Sequence, residues 1–248
     1  MKRTLKVLSA LLCYPTAEMK AAVPEMRAAL DAERCLPRKN RDGLDRLLEE
    51  IATGDLYDLQ ERYVLLFDRT RSLSLHLFEH VHGESRDRGQ AMVDLMALYE
   101  RHGLAIGGRE LPDHLPLFLE FLSEVPQAEA RSLITEIAHI LEAIRLRLEK
   151  RKDSYAAVFS CTQVLAPAKP QDAAVESLLN EPDDDPQDLA ALDAAWSEEE
   201  VTFGPASAVQ CGKDGLIAKI RAAQRPAASM PASVPKRPLI TYSRRPRS

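Results

Sequence analysis

Apolar residues recur at intervals of three and four positions over most of the first 165 residues of this chain. Two such sets are Leu5, Leu8 and Leu12 near the start and Leu141, Ile144 and Leu148 far downstream. This spacing places side chains on one face of an α-helix. The chain has only 10 glycines in 248 residues, few for a sheet protein with many tight turns. The sequence therefore predicts an all-α protein, a single bundle of antiparallel helices joined by short loops.

Turn and capping residues predict where these helices begin and end. Pro15 ends the first helix, and the second is expected from Ala17 to about Cys35. Asp42 and Asp55 are suited to cap the next two helices. The longest helix is expected from Ala128 to about Arg151.

Two more helices are predicted around a turn that contains prolines. The first begins near Ser85 and ends at Gly103, a typical C-terminal glycine. The second follows Asp113, which is expected to cap it. The residues predicted to face inward on the first of these helices are Met92, Leu95, Met96 and Tyr99. No alternating pattern predicts a strand anywhere in the chain.

Charge divides the chain into three segments. Residues 1–166 form the predicted helical domain, and residues 167–203 form an acidic linker with a short docking helix near Trp196. No lysine or arginine occurs between Lys169 and Lys213, and after Phe203 the only acid is Asp214. Residues 204–248 are rich in proline, alanine, serine and arginine, so this basic tail is expected to be disordered.

Composition argues against several classes of function. The net charge of -5 is unlike that of a typical nucleic-acid-binding protein. The four cysteines are far apart and lack the paired spacing of a zinc site. No apolar run has the roughly 18 residues of a membrane helix. We therefore expect a cytoplasmic protein with reduced thiols, no nucleic-acid partner, no membrane insertion and no cofactor.

One histidine cluster permits a metal-dependent reading. His76, His80, His82 and Glu84 follow one another closely, and two histidines four positions apart on a helix can share a metal ion. However, Glu84 does not lie between the histidines, and Gly83 interrupts a helix that would align all four. A metal-dependent enzyme using this cluster is therefore an alternative hypothesis for the function of the chain.

Two charged stretches are candidates for an interaction surface. The run from Glu84 to Gly89 directly follows the apolar Leu77, Phe78 and Val81, and it fits either a helix start or a binding surface. The second stretch runs from Glu110 to Pro116, where two prolines restrict the backbone. His114 lies beside acids there, so its charge is expected to respond to pH near neutrality.

Long motifs in this region resemble those of a known family. They are Tyr63-x-x-Leu66-Phe67-Asp68-Arg69, the run from Leu77 to Leu95 that includes Phe78-Glu79-His80-Val81-His82-Gly83-Glu84-Ser85-Arg86-Asp87-Arg88-Gly89, and Glu110-Leu111-Pro112-Asp113-His114-Leu115-Pro116. They closely resemble the assembly chaperones of respiratory nitrate reductase, within the wider group of redox-enzyme maturation chaperones. The resemblance is strongest between Tyr63 and Leu122.

The resemblance implies a helical chaperone without catalytic or metal-binding residues. Such chaperones bind the N-terminal segment of the cofactor-free catalytic (alpha) subunit transiently, keep it ready for molybdenum cofactor insertion, and delay its docking on the membrane subunit. Cofactor-delivery proteins are further candidate partners. A stable structural subunit of the enzyme is a third reading.

The expected client-binding site combines the resemblance with the residue pattern. A groove lined by Tyr63, Phe67 and Phe78 and rimmed by charge would suit an amphipathic client helix. The complete set of expected binding residues is Tyr63, Phe67, Arg69, Phe78, Glu79, His80, His82, Glu84, Arg86, Glu110, Pro112, Asp113 and His114.

Overall fold

A computed structural model describes residues 1–82, 86–107, 110–180, Asp183 and 237–239. These residues form twelve α-helices and two three-residue strands, which confirms the all-α prediction. The helices are α1 (Lys2–Leu11), α2 (Ala17–Ala21), α3 (Val23–Glu33), α4 (Arg38–Thr53), α5 (Leu56–Tyr63), α6 (Glu79–His82), α7 (Arg86–Arg101), α8 (Leu115–Glu124), α9 (Gln127–Glu136), α10 (Ala138–Lys150), α11 (Ala156–Gln163) and α12 (Asp172–Leu179). A π-helical turn (Val64–Asp68) and a 3₁₀ turn (Arg71–Leu73) follow α5.

The first helix lies at the centre of the packing. Helix α1 contacts α3, α8 and α11, and its Leu5, Leu8 and Leu11 are completely buried. Ser9 on the same helix donates a hydrogen bond of 2.6 Å to the carbonyl of Pro116, which joins α1 to the start of α8. The predicted apolar face of the first helix is therefore the one that enters the core.

The two predicted aspartate caps have different outcomes. Asp55 is the N-cap of α5, and its Oδ1 accepts a hydrogen bond of 2.8 Å from the Tyr57 N–H, as predicted. The prediction for Asp42 is wrong, because α4 begins at Arg38, directly after Pro37. Pro37 has the extended backbone of a residue that precedes a helix, so Asp42 lies within the helix and caps nothing.

Two helices that we predicted as continuous are each divided. The segment from Ala17 to Cys35 contains α2 and α3, which meet at Ala22. Pro24 occupies the first turn of α3, where its missing N–H is tolerated, so the chain restarts there. The segment from Ala128 to Arg151 divides at Ile137, whose backbone leaves the helical region (φ -96°, ψ 3°).

Helix α12 was not predicted and lies in the segment assigned to the acidic linker. It packs on α10 through the buried side chains of Val175 and Leu178. Arg147 of α10 is almost fully buried and donates hydrogen bonds to the carbonyls of Ser72 (2.9 Å) and Leu178 (2.7 Å). The expected docking helix near Trp196 and most of the 204–248 tail lie outside the described residues.

A short parallel ribbon follows α7. Gly103 has a positive φ of 72° and ends α7, which confirms its predicted role. Strand β1 (Leu104–Ile106) follows directly and pairs in parallel with β2 (Arg237–Leu239), which comes from the C-terminal tail. No strand had been predicted, because three residues are too few to show an alternating pattern. Among the described helices, none is long and apolar enough to cross a membrane.

Candidate functional site

The segment that contains His76 and Phe78 meets the second charged stretch, Glu110 to Pro116, in the fold. His76 and His114 form an isolated antiparallel bridge. The Leu77 N–H donates a hydrogen bond of 3.1 Å to the Asp113 carbonyl, and the Leu115 N–H donates one of 2.8 Å to the Leu75 carbonyl. These bonds hold the chain before α6 against the turn before α8. The bridge therefore fixes residues 75–78 and 111–115 relative to each other.

Asp113 is the buried centre of this crossing, with no solvent exposure. Its Oδ2 accepts a hydrogen bond of 3.0 Å from the Phe78 N–H, and its Oδ1 lies 3.2 Å from Nδ1 of His76. The prediction that Asp113 caps a helix is wrong, because α8 begins at Leu115 without a side-chain cap. The carboxylate instead satisfies a backbone donor far away in the sequence.

The pKa values of the two histidines beside Asp113 are shifted in opposite directions. Burial acts to lower the pKa of His76, but the hydrogen bond and charge of Asp113, with the charge of Glu79, outweigh it and raise that pKa above its usual value. Burial and, to a smaller extent, the nearby charge of His76 together lower the pKa of His114 to about 4, against the carboxylates of Glu110 and Asp113. The two rings lie 5.2 Å apart. The expectation that His114 changes charge near neutral pH is therefore wrong.

The histidines of the proposed metal cluster have separate partners. His76 faces Asp113, while His80 is buried with its Nε2 at 2.8 Å from the Ser74 carbonyl. Burial lowers the pKa of His80, so its neutral form is favoured. The side chain of His82 and all of Glu84 lie outside the described residues, as does the side chain of Arg86. In the part of the chain that the structure describes, no group of three potential ligands is placed to hold a metal ion.

The expected aromatic groove is not open. Tyr63, Phe67 and Phe78 are all buried in the core, with exposed fractions of 5%, 6% and 1%. The Tyr63 hydroxyl donates a hydrogen bond of 2.8 Å to the Leu12 carbonyl, and the Phe67 ring packs 5.1 Å from the Tyr155 ring. The prediction that these three rings line a binding groove is wrong, because their apolar surfaces already pack against the bundle.

Three other predicted binding residues, Glu79, Glu110 and Arg69, reach solvent in part, whereas Pro112 does not. Glu79 pairs with Arg88 at 3.2 Å, and Glu110 lies 3.9 Å from Nδ1 of the mostly buried His114. Arg69 is half-buried at the end of the π-helical turn. Pro112 is buried, and its carbonyl accepts a hydrogen bond of 2.6 Å from the Tyr99 hydroxyl. Pro112 therefore attaches the turn to α7 rather than presenting a contact surface.

Three large apolar side chains on α7 and on the turn after β1 are exposed, and we had not predicted them as site residues. Val93 and Met96 on α7 are 55% and 45% exposed, and Leu111 in the turn is 45% exposed. The prediction that Met96 faces inward is wrong. We refer to Val93, Met96 and Leu111 as the α7 surface. The Tyr99–Pro112 hydrogen bond joins the helix and the turn that carry it.

The sequence contained a weak signal for the α7 surface. Val93 and Met96 are three positions apart, so they share a helix face, but Met92 and Leu95 compete for the same assignment. In the structure Leu95 is fully buried and Met92 is partly buried against the core. Chemically, the surface offers apolar contact beside charged groups, which suits the binding of a peptide.

Comparison with known proteins identifies similar sequences. A sequence model of the family described as Nitrate reductase delta subunit matches residues 16–160, which include the whole crossing and the α7 surface. The chain is 48% identical over 201 residues to the nitrate reductase molybdenum cofactor assembly chaperone NarJ of Escherichia coli K12, covering 80% of this chain and 84% of the relative. It is 38% identical over 213 residues to the probable chaperone NarW of the same strain, covering 86% and 88%. It is 33% identical over 153 residues to the probable chaperone NarJ of Bacillus subtilis, covering 62% and 82%.

Proposed function

Since the chain belongs to the nitrate reductase delta subunit family, we propose that it is a dedicated assembly chaperone for the catalytic subunit of a respiratory nitrate reductase. The observation that carries this proposal is the 48% identity, over 80% of the chain, to a relative named as a molybdenum cofactor assembly chaperone. The named relatives are chaperones rather than enzymes, and the protein is accordingly not an enzyme.

The client segment is the N-terminal segment of the cofactor-free catalytic subunit. We place its apolar face on the α7 surface, because Val93, Met96 and Leu111 are exposed and are carried by the helix and the turn that the Tyr99–Pro112 hydrogen bond joins. Burial of such side chains contributes about 1 kcal/mol each when they start half-exposed. Three of them, together with the matching apolar residues of the client, supply the main part of the affinity.

The buried crossing serves to hold this surface in place. Asp113 binds the backbone of Phe78, and Tyr99 binds the backbone of Pro112, so the turn that carries Leu111 is fixed to α7 on one side and to residues 75–78 on the other. A surface that is already ordered loses less conformational entropy when a peptide binds. The charged residues of the same helix and turn, Arg88 with its partner Glu79 and Glu110 next to Leu111, would set the orientation of the client.

The chaperone acts transiently and in the cytoplasm. While the client segment is covered, the catalytic subunit stays ready for molybdenum cofactor insertion and its docking on the membrane subunit is delayed. Proteins that deliver the cofactor are further partners at this stage. The family description names a subunit, so a permanent structural subunit is the second candidate.

A pull-down from nitrate-respiring cells tests the proposal. We expect the tagged protein to co-purify with the catalytic subunit, in larger amounts when synthesis of the molybdenum cofactor is blocked, and to be missing from the finished membrane enzyme. Stoichiometric retention in the finished enzyme would instead establish a structural subunit. Failure to recover the catalytic subunit under both conditions would contradict the proposal.

A further inference from the structure

The tail strand β2 lies against the strand that connects the two parts of the α7 surface. Strand β1 joins α7, which carries Val93 and Met96, to the turn that carries Leu111. The parallel register pairs Leu104 with Arg237 and Ile106 with Leu239. Helix α8, which follows the turn, also contacts β2. The C-terminal segment therefore contacts the elements on both sides of the turn that carries Leu111.

The direction of β2 strengthens this link. Because the pairing is parallel, Leu239 is at the same end of the ribbon as Ile106. Ile106 is also the end from which β1 continues towards Glu110 and Leu111. The C-terminal segment thus enters the ribbon at Arg237, next to the Gly103 end of β1, and leaves it at Leu239, next to the end that leads to the turn with Leu111.

We propose that the edge of β1 is a docking edge for an extended peptide, that residues 237–239 of the same chain occupy it, and that this occupancy competes with client binding. The competition rests on the function proposed above, whereas the docking of the tail does not. Docking within one chain is favoured over docking between copies, because the connecting residues 180–236 keep β2 at a high effective concentration.

The short length and the proline of β2 make its pairing with β1 weak, so β2 can dissociate from β1 readily. A ribbon with one three-residue partner has few hydrogen bonds compared with an ordinary sheet. Pro238 has no N–H, so the N–H groups that β2 gives to the pairing come from its neighbours. Leu239 is therefore the position at which a backbone change should undo the pairing without altering charge.

A disulfide experiment tests the docking directly and needs no client. Ala105 and Pro238 are paired, so the Ala105→Cys/Pro238→Cys variant of the full chain should form a disulfide under mild oxidation. Cys35 and Cys211 are first replaced by serine, and Cys13 and Cys161 are buried. The matched control is Ala105→Cys/Ser229→Cys, with the second cysteine outside β2.

The expected product is an intramolecular disulfide, seen as a shift in mobility of the monomer, that forms much faster in the paired variant than in the control. Equal rates in both variants would overturn the docking. A disulfide found only between two copies would show that β2 docks in trans and would overturn the proposal for a single chain.

A binding experiment tests the competition. Leu239→Pro removes the N–H of the residue paired with Ile106, whereas Leu239→Val keeps it and serves as control. If the tail occupies β1 in nine of ten molecules, its release raises the apparent affinity for the client about tenfold. The probe is a synthetic peptide of the catalytic subunit's N-terminal segment, titrated into each full-length variant by calorimetry.

We expect Leu239→Pro to bind the peptide more tightly than the unmodified chain, and Leu239→Val to match the unmodified chain. Equal affinities of all three proteins would overturn the competition while leaving client binding intact. Absence of binding in all three would contradict the proposed client and the competition together, and the disulfide result would still decide whether the tail docks.

Discussion

The carboxylate of Asp113 accepts a hydrogen bond from the backbone N–H of Phe78, at 3.0 Å and out of contact with solvent. This bond joins two segments that lie 35 positions apart in the sequence. A buried backbone donor that loses its acceptor costs about 1–3 kcal/mol. The side chain of Asp113 therefore makes a tertiary contact, here called the Asp113 tie. Its removal should destabilise the protein more than the loss of a helix cap would.

The first prediction concerns this tie. Asp113→Ala should lower the free energy of unfolding by about 3 kcal/mol, because Phe78 and His76 both lose their partner. Asp113→Asn should cost less, since an amide oxygen can still accept from Phe78. Urea denaturation measures both, with the exposed Asp87→Ala as control. A cost for Asp113→Ala no larger than that for Asp87→Ala would refute the tie.

The second prediction concerns acid. The folded-state pKa of His114 is depressed to about 4, mainly by burial, so protonation favours the unfolded chain. The stability that depends on neutral His114 is complete above the ordinary pKa of about 6.5 and is lost as the pH falls towards 4. The difference between the ordinary and the folded-state pKa of His114 corresponds to about 3 kcal/mol of stability at most. His76 acts oppositely, because its raised pKa adds stability that is fully present below 6.5 and lost as the pH rises through its folded-state pKa.

Replacing His114 by glutamine should therefore reduce the loss of stability between pH 6.5 and pH 4.5. Urea unfolding at several pH values measures this loss, with His102→Gln as the matched control on the partly exposed ring beside Glu129. An unchanged loss in His114→Gln, equal to that of the unmodified protein, would show that this ring is not the acid-sensitive group.

The third prediction compares two glycines with free space around the Cβ position. Gly103 has a φ of +72°, whereas Gly89 lies inside α7. No atom lies within 4 Å of a Cβ built at either residue, so only backbone conformation distinguishes them. Gly103→Ala should destabilise by about 1–2 kcal/mol, and Gly89→Ala should stabilise by up to about 1 kcal/mol. Thermal unfolding measures both variants. A shift of the two unfolding temperatures in the same direction would contradict the difference in backbone conformation between Gly103 and Gly89.

The fourth prediction concerns the attachment of α12. Arg147→Met should release α12 from α10, because the carbonyls of Ser72 and Leu178 lose their buried donor. Hydrogen exchange should then increase in Asp172–Leu179 more than in the rest of the bundle. Arg145→Met, which removes an exposed pair with Glu149 and a partner of Glu142, is the control and should leave α12 protected. Equal protection of α12 in both variants would argue against Arg147 as its anchor.

Local signals in the sequence predicted those parts of the fold that depend on neighbouring residues. Asp55 caps α5 and Gly103 ends α7, since a cap and a left-handed glycine need only a few adjacent residues. The break at Ile137 has no proline or glycine to signal it. It depends on packing between helices, which periodicity does not reveal. The strand β1 exists only because a distant segment pairs with it.

The candidate site was predicted by location more accurately than by chemistry. The motifs around Phe78 and Asp113 do meet, yet Phe78 is a core residue and Asp113 binds backbone. An apolar residue in a helix can face either the core or a partner, and the same spacing fits both. Burial alone separates Met96 from Leu95, and burial requires the tertiary structure.

The central claim is that an apolar client segment binds to the α7 surface. Calorimetric titration of the N-terminal peptide of the nitrate reductase catalytic subunit into the Val93→Asp/Met96→Asp variant tests it most directly. Both side chains are exposed, so the variant should keep its helical spectrum and its stability. Tyr57→Asp, at an 80% exposed tyrosine on α5, is the matched control. We predict at least tenfold weaker binding for the α7 variant and unchanged binding for Tyr57→Asp. Equal affinity of the unmodified protein and both variants would contradict the claim and place the client elsewhere on the bundle.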